Sequence, residues 1–136
     1  VVTRTFHLGD LVSVVTGRLV SPRLMDGVYD VVDYVTGQAH YTHQLPRACK
    51  EIAPELIRQH PWLARVTVPE WVDNDESCAR WLRRVTERWG TNHEVEPLPL
   101  GAYVGREPIA ELREKAPQAE IIAAEIIAEI NREDTK

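Results

Sequence analysis

The sequence predicts an α-rich α+β fold: five or six helices with a small two- or three-stranded antiparallel sheet, in a single domain. Three observations lead there. Apolar residues recur at helical spacing in several segments that end at glycine. Three other segments alternate β-branched and polar residues or carry prolines, and read as extended. The chain has 136 residues, 43% of them hydrophobic and 27% charged, which suits one globular domain able to bury a core without metal or disulfide support.

The opening VVTRTF alternates β-branched and polar groups and fits a short strand or extended arm. Asp10 is a candidate cap for a helix over LVSVVT, and Gly17 is its natural stop, because glycine takes the left-handed conformation cheaply. Ser21-Pro22 marks a turn or the entry to the next helix. That helix covers residues 24–35, with Val28, Val31, Val32 and Val35 on one face and Asp26, Asp30 and Asp33 on another. Valine is a mediocre helix former, so a strand over VYDVVDYV competes; the lack of strict alternation favours helix. Thr36-Gly37 ends this element as Thr16-Gly17 ends the first, and each is followed by a short linker and Pro-Arg. Two helices of similar make that end alike account for the echo.

A third helix follows Pro46 over residues 47–59, and Leu45, Cys49, Ile52, Leu56 and Ile57 supply its apolar stripe. Pro54 should kink it, or split it after Ala53. ARVTVPEWV (residues 64–72) reads as a strand, with Pro69 keeping it from a central position. Asn74 or Asp75 caps a fourth helix over residues 76–89, with Gly90 as its stop. Residues 93–104, with two prolines, form an extended piece that could pair with 64–72. Glu107-Pro108 opens a short helix, and Pro117 opens the last one. There, Ile121, Ile122, Ile126, Ile127 and Ile130, with four alanines, cover most of the circumference. Such a helix is either deeply buried or shared with a second copy, which makes residues 119–130 a candidate homo-oligomer contact. The chain thus divides into a helical part over residues 6–63, a strand-helix-strand part over 64–116 and the terminal helix over 117–132.

The net charge of −5 argues against general nucleic-acid binding, although Arg80, Arg83, Arg84 and Arg88 could form a local basic patch. Two widely spaced cysteines suit reduced thiols in a cytoplasmic protein. No apolar run reaches the roughly 20 residues of a membrane span, and the N-terminus lacks a signal-peptide pattern.

No catalytic, metal or phosphate-loop signature stands out, and no cofactor is expected. His40 and His43 are three apart but lack further ligands at metal spacing. Asp26, Asp30 and Asp33 lack an identifiable nucleophile, which makes them a solvated face rather than an acid/base set. Hydroxyl, amide and guanidinium donors gather instead beside helix ends, and such groups suit recognition of a phosphate, carboxylate or backbone carbonyl. The candidate binding residues are Arg18, Asp26, Tyr29, Asp30, His43, Gln44 and Arg47. Trp62 and Trp71, beside prolines, are candidate exposed anchors.

The blocks LGDLVSVVTGRLVSP, MDGVYDVVDYVTG and THQLPRA, in this order, resemble a family of small uncharacterised proteins of tailed phages and prophages. The resemblance covers roughly residues 6–63. It implies a viral accessory protein in the host bacterial cytosol and supplies no catalytic residue. It also implies a job: binding and inhibiting a host component, an antiviral defence machine in the manner of anti-CRISPR proteins. The expectation is therefore a non-enzymatic binding protein with aromatic and arginine anchors. Two alternatives stand beside it. One is a sponge for a phosphate-bearing, nucleotide-type signal held by Arg18, Arg23, Arg47, His43 and Gln44. The other is a small hydrolase using Asp26 or Asp30 with His43.

Overall fold

A computed structural model describes residues 2–99 and 101–103, with Ile109. The order of elements is strand β1 (Arg4–His7), helices α1 (Leu8–Thr16), α2 (Met25–Thr36), α3 (Leu45–Gln59) and α4 (Asp75–Trp89), then strand β2 (Asn92–Val95). Short 3-10 turns at Thr42–Gln44 and Pro61–Arg65 flank α3. The fold is helix-rich with a small two-stranded antiparallel sheet, as the composition and periodicity predict. Four α-helices, not five or six, occupy the described residues. Of the two further helices expected after Glu107 and Pro117, only Ile109 is among the described residues, where it is helical; the candidate oligomer contact at 119–130 lies outside them.

α1, α2 and α3 pack against one another, and α1 also meets the 3-10 turn after α3. Their contact is built from Leu11, Val12, Val31, Val32, Val35, Ile52 and Leu56, all fully buried. The valine face of residues 28–35 is indeed helical, because Val28, Val31, Val32 and Val35 reach one core together only at helical spacing. α4 adds Trp81 and the sheet adds Phe6 and Val95.

Several local expectations are corrected. α1 begins at Leu8, and its N-cap is His7, whose Nδ1 accepts from the Gly9 amide at 2.8 Å. Asp10 is not the cap: it lies inside the first turn and is fully buried. α3 begins at Leu45 and runs unbroken through Pro54 to Gln59. Residues 64–72 form no strand: Pro61–Arg65 is a 3-10 turn that drives Leu63 into the core. β2 therefore pairs with β1 rather than with that segment, in the register Arg4 opposite Val95 and His7 opposite Asn92.

The two Thr-Gly helix ends are alike in detail. Gly17 and Gly37 are left-handed at φ 75° and 73°. Their amides donate to Ser13 and Asp33 carbonyls at 3.0 and 2.9 Å. Thr16 and Thr36 hydroxyls donate back to Val12 and Val32 carbonyls, and each accepts the amide two residues on. The echo is one capping device used twice. Among the described residues, no helix is long and apolar enough to cross a membrane.

Candidate functional site

The polar candidates fall into separate groups, most of them engaged by other residues of the fold. Asp30 sits in a ladder of four charges. Arg4 grips its carboxylate with two hydrogen bonds of 2.8 and 2.6 Å. Arg23 donates to the same carboxylate at 3.0 Å and to Asp10 at 2.7 Å. Asp10, buried, also accepts from the Ser21 hydroxyl. The ladder Arg4–Asp30–Arg23–Asp10 thereby ties β1, α2, the α1–α2 connection and α1 together. Burial pushes the Asp30 carboxyl up, but the hydrogen bonds and charges of Arg4 and Arg23 together outweigh it and leave the group below its ordinary range. A carboxylate so held is a weak proton acceptor.

Arg18, one residue past the α1 cap, donates to the Val72 carbonyl at 2.8 Å and clamps the segment that precedes α4. Tyr29 bonds Thr42 through its hydroxyl. Gln44 is buried, and its Oε1 accepts the Tyr41 amide at 3.0 Å, closing a capping box. His43 stacks on Tyr41 with ring centroids 6.2 Å apart. Arg47 donates to Glu51 at 2.7 Å and to the Tyr103 hydroxyl at 3.0 Å. That hydroxyl also meets His40 Nε2 at 3.3 Å, while His40 Nδ1 lies 3.0 Å from Asp33. The HxxH pair is thus divided: the His40 side chain is buried between Asp33 and Tyr103, and His43 faces Tyr41. Asp26 is exposed. Among the described residues, no three His, Cys, Asp or Glu side chains gather as metal ligands would.

The open surface is apolar and lies elsewhere. A groove of about 590 Å³ runs between α1, α2 and α3. Val15, Leu19, Met25, Val28, Leu45 and Ile57 line it, Thr16, Gly17 and Thr42 edge it, and Lys50 is its one charged side chain. None of the seven candidate binding residues borders it. Cys49 lines it with a thiol that burial pushes up to about 11, so this sulfur acts as an apolar surface and not as a nucleophile. A second cleft of about 620 Å³ lies between the α1–α2 connection and α4, and there Arg18 does contribute, beside Leu19, Leu24, Cys78 and Leu82.

Between the two depressions stands a ridge of Leu19, Leu24 and Met25, 46%, 59% and 37% exposed. Leu19 borders both. Leu24 is the only non-glycine at positive φ among the described residues, at φ 56° and ψ −134°. A bulky side chain in that region is disfavoured by about 1–3 kcal/mol and persists only where its surroundings hold it. The ladder does so, anchoring Arg23 on one side while Ser21 accepts the Arg23 amide at 3.1 Å. Sequence reasoning passed over these three residues because it followed polar groups. The signal was present: RLVSPRLMDG places Leu19, Leu24 and Met25 in and just past a connection turned by Ser21-Pro22. Trp71 is exposed as expected, whereas Trp62 is half-buried and stacks on Trp89.

Compared with known proteins, the chain matches no curated protein and no solved structure. Residues 6–66 match one family model, described as a domain of unknown function (DUF7736).

Proposed function

We propose that this chain is a non-enzymatic binding protein that docks on a partner protein through the ridge of Leu19, Leu24 and Met25 and the groove beside it. The observation that carries the reading is Leu24: a large aliphatic side chain turned to solvent on a strained backbone, between two clefts. Soluble surfaces scatter single apolar residues at no consequence, but three together beside an apolar groove mark a contact surface. Lys50 on the groove gives a partner helix one place for a carboxylate. The resemblance of residues 6–63 to phage accessory proteins supplies the partner: a component of bacterial antiviral defence, met in the host cytosol and inhibited by occlusion.

The sponge reading has no comparable support. Arg18, Arg23 and Arg47 already donate to carbonyls, carboxylates and a phenol within the fold. The hydrolase reading would ask Asp30 to act as a base while two guanidiniums hold it.

The test is expression in a bacterium with an active defence system, with phage plating as the readout. The chain should restore plating, and Leu19→Asp with Leu24→Asp should remove the effect while the melting temperature is kept. Equal protection by the variant, or none by the wild-type chain across a panel of defence systems, would overturn the reading.

A further inference from the structure

α4 shows solvent a face that the ridge does not use. Its inner side carries Cys78, Trp81, Leu82, Val85 and Trp89 against the core. On the other side Arg80, Arg84 and Arg88 follow one another at intervals of four, about 6 Å of rise per step, with Arg83 alongside. All four are exposed, and among the described residues none makes an ion pair. This contrasts with Arg4, Arg23, Arg47 and Arg58, each of which is spent on a carboxylate.

Two members of the row are also pre-positioned. The Arg84 guanidinium lies over the Trp71 ring, 5.8 Å from its centroid, and Arg88 lies 4.9 Å from the Trp89 centroid. A guanidinium stacked on an indole loses less freedom when it binds, and the indole adds buried area. Trp71 is 44% exposed, so its ring remains available to a partner. Arginine and tryptophan are the residue types that dominate interface hot spots.

We infer that the Arg80–Arg84–Arg88 row with Trp71 is a docking face for an acidic helical segment of a partner protein. Carboxylates at i, i+4 and i+8 of such a helix repeat at the same rise as the arginines. Nucleic acid carries phosphates at comparable spacing, but the fit is worse. Glu76 and Glu87 stand on the same outer side of α4, and the whole chain carries −5. A uniformly anionic backbone meets those carboxylates and that field, whereas a peptide places neutral or basic residues opposite them.

The test is fluorescence anisotropy with the full chain and a labelled alanine-based helical peptide of about 16 residues, four turns and more, with glutamate at every fourth position. A peptide of the same composition with scrambled order, and an oligothymidylate of equal charge, are measured beside it at low ionic strength. The ordered peptide should bind more tightly than both. Arg84→Glu with Arg88→Glu should weaken it by at least about tenfold, and Trp71→Ala by roughly fivefold, the scale of a significant interface contact. Trp71, Arg84 and Arg88 are all exposed, so circular dichroism should keep its helical signal, and loss of the Arg88–Trp89 contact should lower the melting temperature by no more than about a few degrees. Absence of peptide binding, equal binding of the scrambled peptide, tighter binding of the oligonucleotide, or unchanged affinity in the variants would each overturn the inference. None of these residues belongs to the ridge, so this result and the plating result are independent.

Discussion

Gly27 of α2 lies directly over the carboxylate of Asp10 in α1. A Cβ at position 27 would stand 2.3 Å from Asp10 Oδ1 and 2.2 Å from the Ser21 hydroxyl. Its two neighbours in the clash are hydrogen-bonded to each other and buried. Neither can swing aside without losing that bond.

Gly27→Ala should therefore force α2 away from α1. The expected cost is about 2–3 kcal/mol, at the upper end for overpacking, and a melting temperature lower by roughly 10 °C. Thermal denaturation followed by circular dichroism measures it. A variant that melts with the wild type would show that the two helices do not approach so closely.

Removing Arg23 tests the ladder. Among the described residues, Asp10 would then be buried with only Ser21 as partner, and Asp30 would keep only Arg4. Stranding a buried carboxylate costs roughly 3–5 kcal/mol when the pair is fully enclosed. The Arg23 side chain is 48% exposed, so water replaces part of its effect and about 1–3 kcal/mol is expected for Arg23→Ala. Asp10→Asn with Arg23→Ala should recover part of the loss, because no charge is then left buried. Urea titration of the single and double variants separates the terms.

The α1 cap sets a pH dependence. Burial lowers the pKa of His7 from its ordinary 6.5; the Asp10 carboxylate opposes this and Arg23 reinforces it. Burial likewise lowers that of His93, the Gly90 carbonyl opposing and the charges of His60 and His7 adding to the shift. Both groups take up a proton more readily in the unfolded chain. Their contribution is therefore complete above about pH 6.5 and is lost as pH falls from there through the lowered values. A protonated Nδ1 also has no lone pair for the Gly9 amide. His7→Asn keeps a capping acceptor that does not titrate. Its melting temperature should decline less between about pH 7 and 5 than that of the wild type. Parallel profiles would remove His7 from the account.

Leu24→Gly separates folding from docking. Glycine relieves the positive-φ strain, worth about 1–3 kcal/mol, at an entropic cost of about 0.5–1. The melting temperature should hold or rise while plating protection falls. A loss of stability would mean that the Leu24 side chain serves the fold and not a partner.

The helical core was legible because periodicity and stops are local. Residues 24–35 were read as a helix and are found as Met25–Thr36; residues 76–89 are found as Asp75–Trp89. Both Thr-Gly ends fall where the glycines put them. What escaped was set by contacts distant in sequence. Asp10 is an ordinary cap candidate until Gly27, 17 positions on, lets Ser21 and Arg23 close over it. Residues 64–72 have the composition of a strand, but Pro61 starts a tight turn and Leu63 finds the core first. The polar candidates Arg18, Asp30, Gln44 and Arg47 were recognisable as hydrogen-bonding residues, yet nothing in their spacing said that each would be engaged by other residues of the fold. The ridge was missed for the complementary reason: an aliphatic side chain advertises burial, and only the backbone turn at Leu24 sends it outward.

The antiparallel pairing of β1 with β2 has a bearing on how this chain can be divided. The stretch that matches the family model, residues 6–66, ends well before Asn92–Val95 supplies the other half of the ribbon. Val72, Trp81 and Val95 complete its apolar interior from beyond that boundary. The unit that sequence comparison recognises is thus smaller than the unit that closes its own core. A fragment cut at residue 66 would expose Phe6 and the flank of α1 to water, and should remain unfolded unless residues 67–95 are returned to it as a separate peptide.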